Sequence, residues 1–235
     1  MRRDVLDLRE FYAGPLGKAA REMVSRKVAE AWGRLADLDL LACGYATPFL
    51  APDGARRTIA AMPAQQGVEA WPLGAPNSAA LVDETALPFA NALFDRVLAV
   101  HALEESDSPL AALRELGRVL SPSGRLILVV AARHGLWANA ESSPFGHGRP
   151  YSRRQLEALV REAELEPAGW TRALYAPPFA WAARWAEGFE QVGARLWPPM
   201  AGLILMEAHK PTLALRPIPV RPRVRVFSPG ALRPA

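Results

Sequence analysis

Short apolar runs separated by helical patterns constrain the fold of this chain more than any other feature. Seven such runs, each of strand length, occur at residues 38–43, 58–62, 79–82, 97–100, 126–132, 173–175 and 203–208. Amphipathic, helix-like patterns occupy residues 18–35, 109–120, 153–163 and 179–196. Strands that alternate with helices favour a largely parallel sheet covered by helices. We therefore predict an α/β fold with a doubly wound sheet of seven strands.

The length of the chain favours one domain. Its 235 residues, half of them apolar, can bury a substantial core. We predict a single domain over residues 1–215, with an amino-terminal helix at 18–35 and a helical insertion at 176–199. Residues 216–235 form a basic, proline-rich tail, which we expect to be extended and unstructured.

The charge of the chain is concentrated in this tail. The formal net charge is +4, and the five arginines after residue 215 account for all of it. The remaining chain is close to neutral, so its composition does not predict binding to nucleic acid. The tail fits either a solubilising terminus or an electrostatic contact with an acidic partner.

The sequence also indicates the cellular compartment of the protein. The amino terminus lacks the pattern of a secretory signal, and no apolar run reaches the ~20 residues that span a bilayer. The single cysteine, Cys43, cannot form a disulfide within the chain. We therefore expect a cytoplasmic protein without a transmembrane segment.

An ordered series of short motifs occupies residues 83–124. The motif DETALPF follows the third predicted strand, Phe94-Asp95 opens the fourth, and RVLSPSG ends the next helix, in a turn at residues 121–124. This order resembles the core of class I S-adenosylmethionine-dependent methyltransferases, of the methyltransferase type 11 kind. The resemblance implies a Rossmann-like, mostly parallel sheet with an antiparallel last strand, and S-adenosylmethionine as the cofactor.

The glycine-rich motif that such enzymes place after the first strand is degenerate here. Their pattern is acidic-x-Gly-x-Gly-x-Gly, and the corresponding residues 42–48 read ACGYATP, with a glycine only at Gly44. The resemblance implies that Gly44, Tyr45 and Ala46 contact the cofactor. Pro48, which has no backbone amide, should begin a short helix.

The resemblance also assigns residues after the second and third strands to the cofactor. No acidic residue follows the second strand, so the amide of Gln65 or Gln66 is the candidate for the ribose hydroxyls, unless it is simply solvated. Asp83 and Glu84 are the candidates for the adenine amine, with Leu87 or Met62 packed on the ring. The alternative for Asp83 is a carboxylate that closes a turn.

Candidates for the acceptor site follow the fourth and fifth strands. His101 could orient an acceptor or take its proton, or could make an ordinary hydrogen bond to the backbone. Glu104 should be solvated. The long loop after the fifth strand contributes Trp137, His147 and Tyr151 as candidate substrate contacts. The spacing of histidines and acidic residues does not predict a metal site.

Two functions remain open on the sequence. The first, which we favour, is an enzyme that transfers a methyl group from S-adenosylmethionine to a small-molecule acceptor. The second is a non-catalytic, methyltransferase-like protein that acts as a binding or regulatory partner. The tryptophan-rich insertion at residues 179–197 could provide a surface for a homodimer or for a protein partner.

Overall fold

A seven-stranded sheet forms the centre of the protein. The computed structural model describes residues 2–51 and 54–211, so the predicted tail lies outside the described residues. The spatial order of the strands is β3-β2-β1-β4-β5-β7-β6. In chain order, the strands are β1 (Leu35–Gly44), β2 (Ala55–Pro63), β3 (Ala79–Val82), β4 (Phe94–Val100), β5 (Leu120–Ala131), β6 (Glu166–Ala173) and β7 (Leu203–His209).

The direction of the strands confirms the predicted fold class. Strands β1 to β5 run parallel to one another, whereas β7 lies between β5 and β6 and is antiparallel to both. The winding reverses at β1, which pairs with β2 on one side and with β4 on the other. In open α/β sheets, ligands bind beyond the carboxyl ends of the strands at such a reversal.

Helices cover both faces of the sheet. They are α1 (Val5–Ala13), α2 (Pro15–Trp32), α3 (Pro109–Val119), α4 (Arg153–Glu162) and α5 (Ala186–Leu196). Apolar residues of α3 and α4 share one core with the sheet, and those of α1 and α2 share the other. Among the described residues, no helix is long and apolar enough to cross a membrane.

Two local predictions were wrong. Strand β6 covers Glu166–Ala173 rather than residues 173–175, because most of its side chains are exposed and leave no apolar run. Residues 121–124 belong to β5 and not to a turn, since Leu120 already pairs with Phe94 of β4.

Helix α1 was not predicted. The Asp4 side chain caps its start by accepting a hydrogen bond from the Leu6 amide at 2.8 Å. Its buried side chains, Val5, Leu8 and Tyr12, are spaced as on one helical face.

The crossover after β1 is as short as the sequence indicates. Pro48 lies in a single 3₁₀ turn, Thr47–Phe49, in place of a full helix. Helix α2 packs against this turn, and the Ser25 hydroxyl donates a hydrogen bond to the Phe49 carbonyl at 3.1 Å.

Arg118 connects α3 to the segment that follows the Asp83 motif. Its guanidinium donates to the carbonyls of Leu87 and Phe89, each at 2.8 Å, and pairs with Glu115 at 2.8 Å. The Glu115 carboxylate accepts a hydrogen bond from the Leu87 amide at 2.9 Å. Residues 87–89 are therefore fixed through two side chains of one helix.

Replacing Arg118 by alanine should lower the free energy of unfolding by about 1–3 kcal/mol, because two carbonyls lose a charged donor and Glu115 loses its partner. Urea unfolding followed by circular dichroism measures this change. Arg114→Ala, an exposed position on the same helix, is the control and should change the free energy by less than about 0.5 kcal/mol. Equal losses in both variants would contradict the assignment to Arg118.

Candidate functional site

A cleft lies beyond the carboxyl ends of β2 and β3. Its volume is about 320 Å³, and its walls come from the residues that follow β2, β3 and β4, together with the amino-terminal Arg2. The lining includes Pro63, Gln65, Asp83, Glu84, Asp107 and Arg2. The cleft therefore lies beside the point where the winding of the sheet reverses.

Asp83 places a carboxylate in this cleft. One oxygen, Oδ1, accepts hydrogen bonds from the amide and the hydroxyl of Thr85, at 2.8 and 2.7 Å. These two hydrogen bonds lower the pKa of the Asp83 carboxyl, and the bond from the hydroxyl has the larger effect. Asp83 is thus an ionised, turn-forming residue, and its contact with the adenine amine stays a prediction.

Glu84 is already engaged by the protein itself. Its carboxylate pairs with the Arg2 guanidinium at 2.7 Å, and the Ser106 hydroxyl donates to its other oxygen. A second Arg2 nitrogen donates to the Ala102 carbonyl at 2.7 Å. The Arg2 side chain is only 2% exposed. The amino terminus therefore reaches into the predicted cofactor site.

The loop after β1 packs tightly against β4. Gly44 has a left-handed φ of 74°, and a Cβ built there would lie 2.2 Å from the Val100 carbonyl oxygen. Tyr45 and Ala46 are buried, and the Tyr45 ring stacks on the Tyr12 ring of α1 with centroids 5.8 Å apart. In this structure the loop contacts protein on the side where a cofactor would lie.

Gln66, after β2, is buried with both atoms of its side-chain amide unpaired among the described residues. Its backbone carbonyl accepts a hydrogen bond from the Val5 amide at 2.8 Å. Met62 lies in the core beneath and is fully buried. Buried amides without partners are rare in native proteins, so the Gln66 side chain is suited to a ligand that supplies hydrogen bonds.

His101, after β4, is buried and shares a hydrogen bond with the Tyr12 hydroxyl at 2.7 Å. Burial, with the nearby charges of Arg2 and His147, lowers the pKa of His101 to about 3. The imidazole is therefore neutral at physiological pH. Its observed partner is the Tyr12 hydroxyl, which the sequence did not indicate.

The expectation that Glu104 is solvated was wrong. Its side chain is buried, and Oε1 accepts a hydrogen bond from the Ala131 amide at 3.1 Å, whereas Oε2 has no partner among the described residues. Burial raises the pKa of Glu104 to about 7. A carboxyl group that is half protonated near neutral pH can accept or release a proton.

The three candidate acceptor contacts have different environments. Trp137 is buried, and its indole nitrogen donates to the Ala176 carbonyl at 2.7 Å. Tyr151 is buried and donates to the Leu103 carbonyl at 3.3 Å. His147 contacts the Arg3 guanidinium. Trp137 and Tyr151 are therefore packed into the protein, and their predicted contact with an acceptor stays a prediction.

The amino-terminal segment connects most of the candidate residues. Residues 2–12 contact Gln66, Glu84, His101, Tyr45 and His147, which were predicted from separate parts of the sequence. Arg2 and Tyr12 were missed as site residues. The capping pattern that starts at Asp4 was the signal that could have revealed the helix which carries Tyr12.

The described residues fit one end of S-adenosylmethionine. The cleft at Asp83 is open and has a carboxylate for the adenine amine, whereas the unpaired amide of Gln66 is buried and is not part of the cleft lining. The Gly44 loop and His101, where the methionine part would lie, are covered by Tyr12 of the same chain. Among the described residues, no three metal-ligating side chains come together.

Comparison with protein families identifies residues 39–128 as a methyltransferase domain. A search of curated proteins gives no significant match. A SAM-dependent methyltransferase from Thermotoga maritima has a similar structure, with 18% identity, a TM-score of 0.60, and coverage of 88% of this chain and 96% of that one.

Two other solved structures are also similar. The [4+2]-cyclase SpnF shares 24% identity with a TM-score of 0.56, and 80% of each chain is covered. A Burkholderia thailandensis 1,6-didemethyltoxoflavin-N1-methyltransferase, solved with that compound and S-adenosylhomocysteine, shares 18% identity with a TM-score of 0.51, covering 83% of this chain and 78% of that one.

These likenesses establish the fold, and SpnF shows that proteins named for another reaction share it. The matched residues extend from the first strand to the fifth and include the cleft at Asp83. Residues 39–128 thus match a methyltransferase domain family, whose cofactor is S-adenosylmethionine, and the chain has the fold of such domains.

Proposed function

We propose that this protein transfers a methyl group from S-adenosylmethionine to a small-molecule acceptor. The observation that carries the proposal is the open cleft beyond β2 and β3, with the Asp83 carboxylate on its wall. A methyltransferase named for a small molecule, 1,6-didemethyltoxoflavin, is among the similar structures and supports the substrate class. When bound, the cofactor supplies an already activated methyl group.

The residues of the site would then act mainly by binding and positioning. Asp83 would accept a hydrogen bond from the adenine amine through Oδ2, because Oδ1 is used by Thr85. The Gln66 amide would bond to the ribose hydroxyls. Positioning the reacting groups supplies a large part of the acceleration in such transfers, so the site needs little acid-base machinery.

A proton released by the acceptor would require a base near the end of β4. His101 is neutral, but the burial that lowers its pKa to about 3 also makes it a weak base, and its hydrogen bond with Tyr12 must first break. Glu104, three residues later, has an unpaired oxygen among the described residues. We therefore retain His101 as the candidate catalytic residue and add Glu104 as a second candidate.

Asp83→Asn should weaken binding of S-adenosylhomocysteine roughly tenfold or more, because a charged hydrogen bond is worth about 1.5–3 kcal/mol. The asparagine keeps an oxygen for Thr85 but replaces the other oxygen with a donor, so the turn is preserved. Isothermal titration calorimetry of the purified chain measures the affinity.

Two variants separate this effect from a general loss of structure. Thr85→Ala disturbs the turn and keeps the carboxylate, so it should weaken binding less than Asp83→Asn. Asp37→Ala, an exposed position in β1, should leave binding unchanged. No binding by the wild-type chain, with circular dichroism showing that it is folded, would contradict the enzyme and favour a non-catalytic protein.

We also propose that the insertion around α5 forms a homodimer contact. Its large apolar side chains are exposed although they lie close together along the chain. They are Phe179, Trp181, Trp185, Val192, Leu196, Trp197 and Met200. Contiguous apolar surface of this kind marks association sites more often than free surface.

A dimer in solution is therefore expected, and Trp185→Glu should dissociate it by placing a charge in the apolar contact. Light scattering at micromolar concentration measures the mass. Leu73→Glu is the matched control, since Leu73 is 90% exposed but lies outside this insertion. A monomeric mass for the wild-type chain, or equal dissociation by both variants, would contradict the proposed contact.

A further inference from the structure

Residues 2–12, which we call the amino-terminal strap, contact residues that follow β2, β3 and β4. After β2, the Gln66 carbonyl accepts a hydrogen bond from Val5, and after β3, the Glu84 carboxylate binds Arg2. After β4, the strap contacts His101 through Tyr12. The strap thus lies over the ends of the strands that border the site.

Arg2 has a particular position in the strap. Its guanidinium joins Glu84, on the wall of the cleft, to the Ala102 carbonyl, each at 2.7 Å. Ala102 is also next to the Gly44 loop, since a Cβ built at Gly44 would lie 3.1 Å from the Ala102 Cβ. A molecule that extended from the cleft to the Gly44 loop would therefore have to pass the Arg2 side chain.

The polar groups under the strap are incompletely paired. Among the described residues, partners are missing for Arg2 Nε, for Glu104 Oε2 and for both side-chain atoms of Gln66. A ligand with hydroxyl and amine groups could pair with these four atoms.

The helix of the strap is held more firmly than its start. A Cβ built at Gly17 of α2 would lie 2.1 Å from the Phe11 carbonyl oxygen, so α1 and α2 pack in close backbone contact. Leu8 and Tyr12 are buried in the core of that face. Arg2 and Arg3 precede the Asp4 cap and lie outside α1. Movement can therefore occur at residues 2–4 while α1 stays in place.

We propose that Arg2 is a gate: its bonds to Glu84 and to the Ala102 carbonyl hold the cofactor site closed, and an adenosyl ligand enters by displacing the Arg2 side chain. This inference rests on the proposed function, because it names the same site. The displaced arginine leaves Glu84 to a ligand hydroxyl or amine, and the apparent affinity is reduced by the fraction of molecules in which the gate is closed.

The experiment measures binding of S-adenosylhomocysteine by calorimetry to the wild-type chain, Arg2→Ala and Arg9→Ala. Arg9 is the control because it lies on α1 but its side chain is 62% exposed. With the gate open in one molecule in about ten, Arg2→Ala should bind about tenfold more tightly than wild type, and Arg9→Ala should bind equally.

A second measurement needs no variant. The Arg3 backbone amide donates to the Glu105 carboxylate in the closed arrangement. Saturating S-adenosylhomocysteine should therefore speed hydrogen exchange at this amide in the wild-type chain, as followed by nuclear magnetic resonance. If Arg2→Ala does not fold, hydrogen exchange at the Arg3 amide of the wild-type chain tests the gate by itself. An unchanged exchange rate overturns the gate.

The outcomes separate the gate from the proposed function. Binding that is equally tight in wild type and folded Arg2→Ala overturns the gate and leaves the methyltransferase intact. Binding to Arg2→Ala alone supports both, with a gate that is closed in nearly all molecules. No binding to any of the three chains, each folded by circular dichroism, overturns the proposed function and the gate together.

Discussion

The pairing of β1 with β2 on one side and β4 on the other is the constraint on which the site depends. It brings the ends of β1, β2 and β4 to one edge of the sheet and leaves a crevice where the winding reverses. Gly44 allows β1 to pair with β4 up to its carboxyl end, because only a residue without a Cβ can approach the Val100 carbonyl so closely. The loops at this edge then take their positions from the sheet.

The polar residues at this edge form hydrogen bonds with different partners at the β3 end and at the β4 end. At the β3 end, Asp83 uses one oxygen for its own turn and leaves the cleft accessible. At the β4 end, His101 is bound by Tyr12 of the strap, and Arg2 of the strap also binds Glu84 after β3. A buried carboxylate that loses its cationic partner is destabilised, so a ligand that displaces Arg2 must supply Glu84 with donors of its own.

Much of the fold could be predicted from the sequence, because buried parallel strands carry apolar runs and β1, β2, β4 and β5 are of that kind. Edge strand β6 has mostly exposed side chains, so periodicity could not locate it. Contacts between residues far apart in the chain, such as Arg2 with Glu84, leave no local pattern. For that reason Asp83 was accessible to motif analysis, whereas the strap and the burial of Glu104 were not.

The degenerate glycine motif and the strap pack against each other. Glycines in such a loop allow a ligand to approach the backbone, and here Tyr45 and Ala46 are buried instead. The Tyr12 ring stacks on Tyr45 and contacts Phe49 edge to face, with centroids 5.3 Å apart. Aromatic packing thus fills space that glycines would leave open, and it stabilises α1 against the loop. Ala46 and Pro48, at the two changed glycine positions, lie beside the Tyr45 and Phe49 rings that pack on α1, while Gly44 makes the close contact with β4.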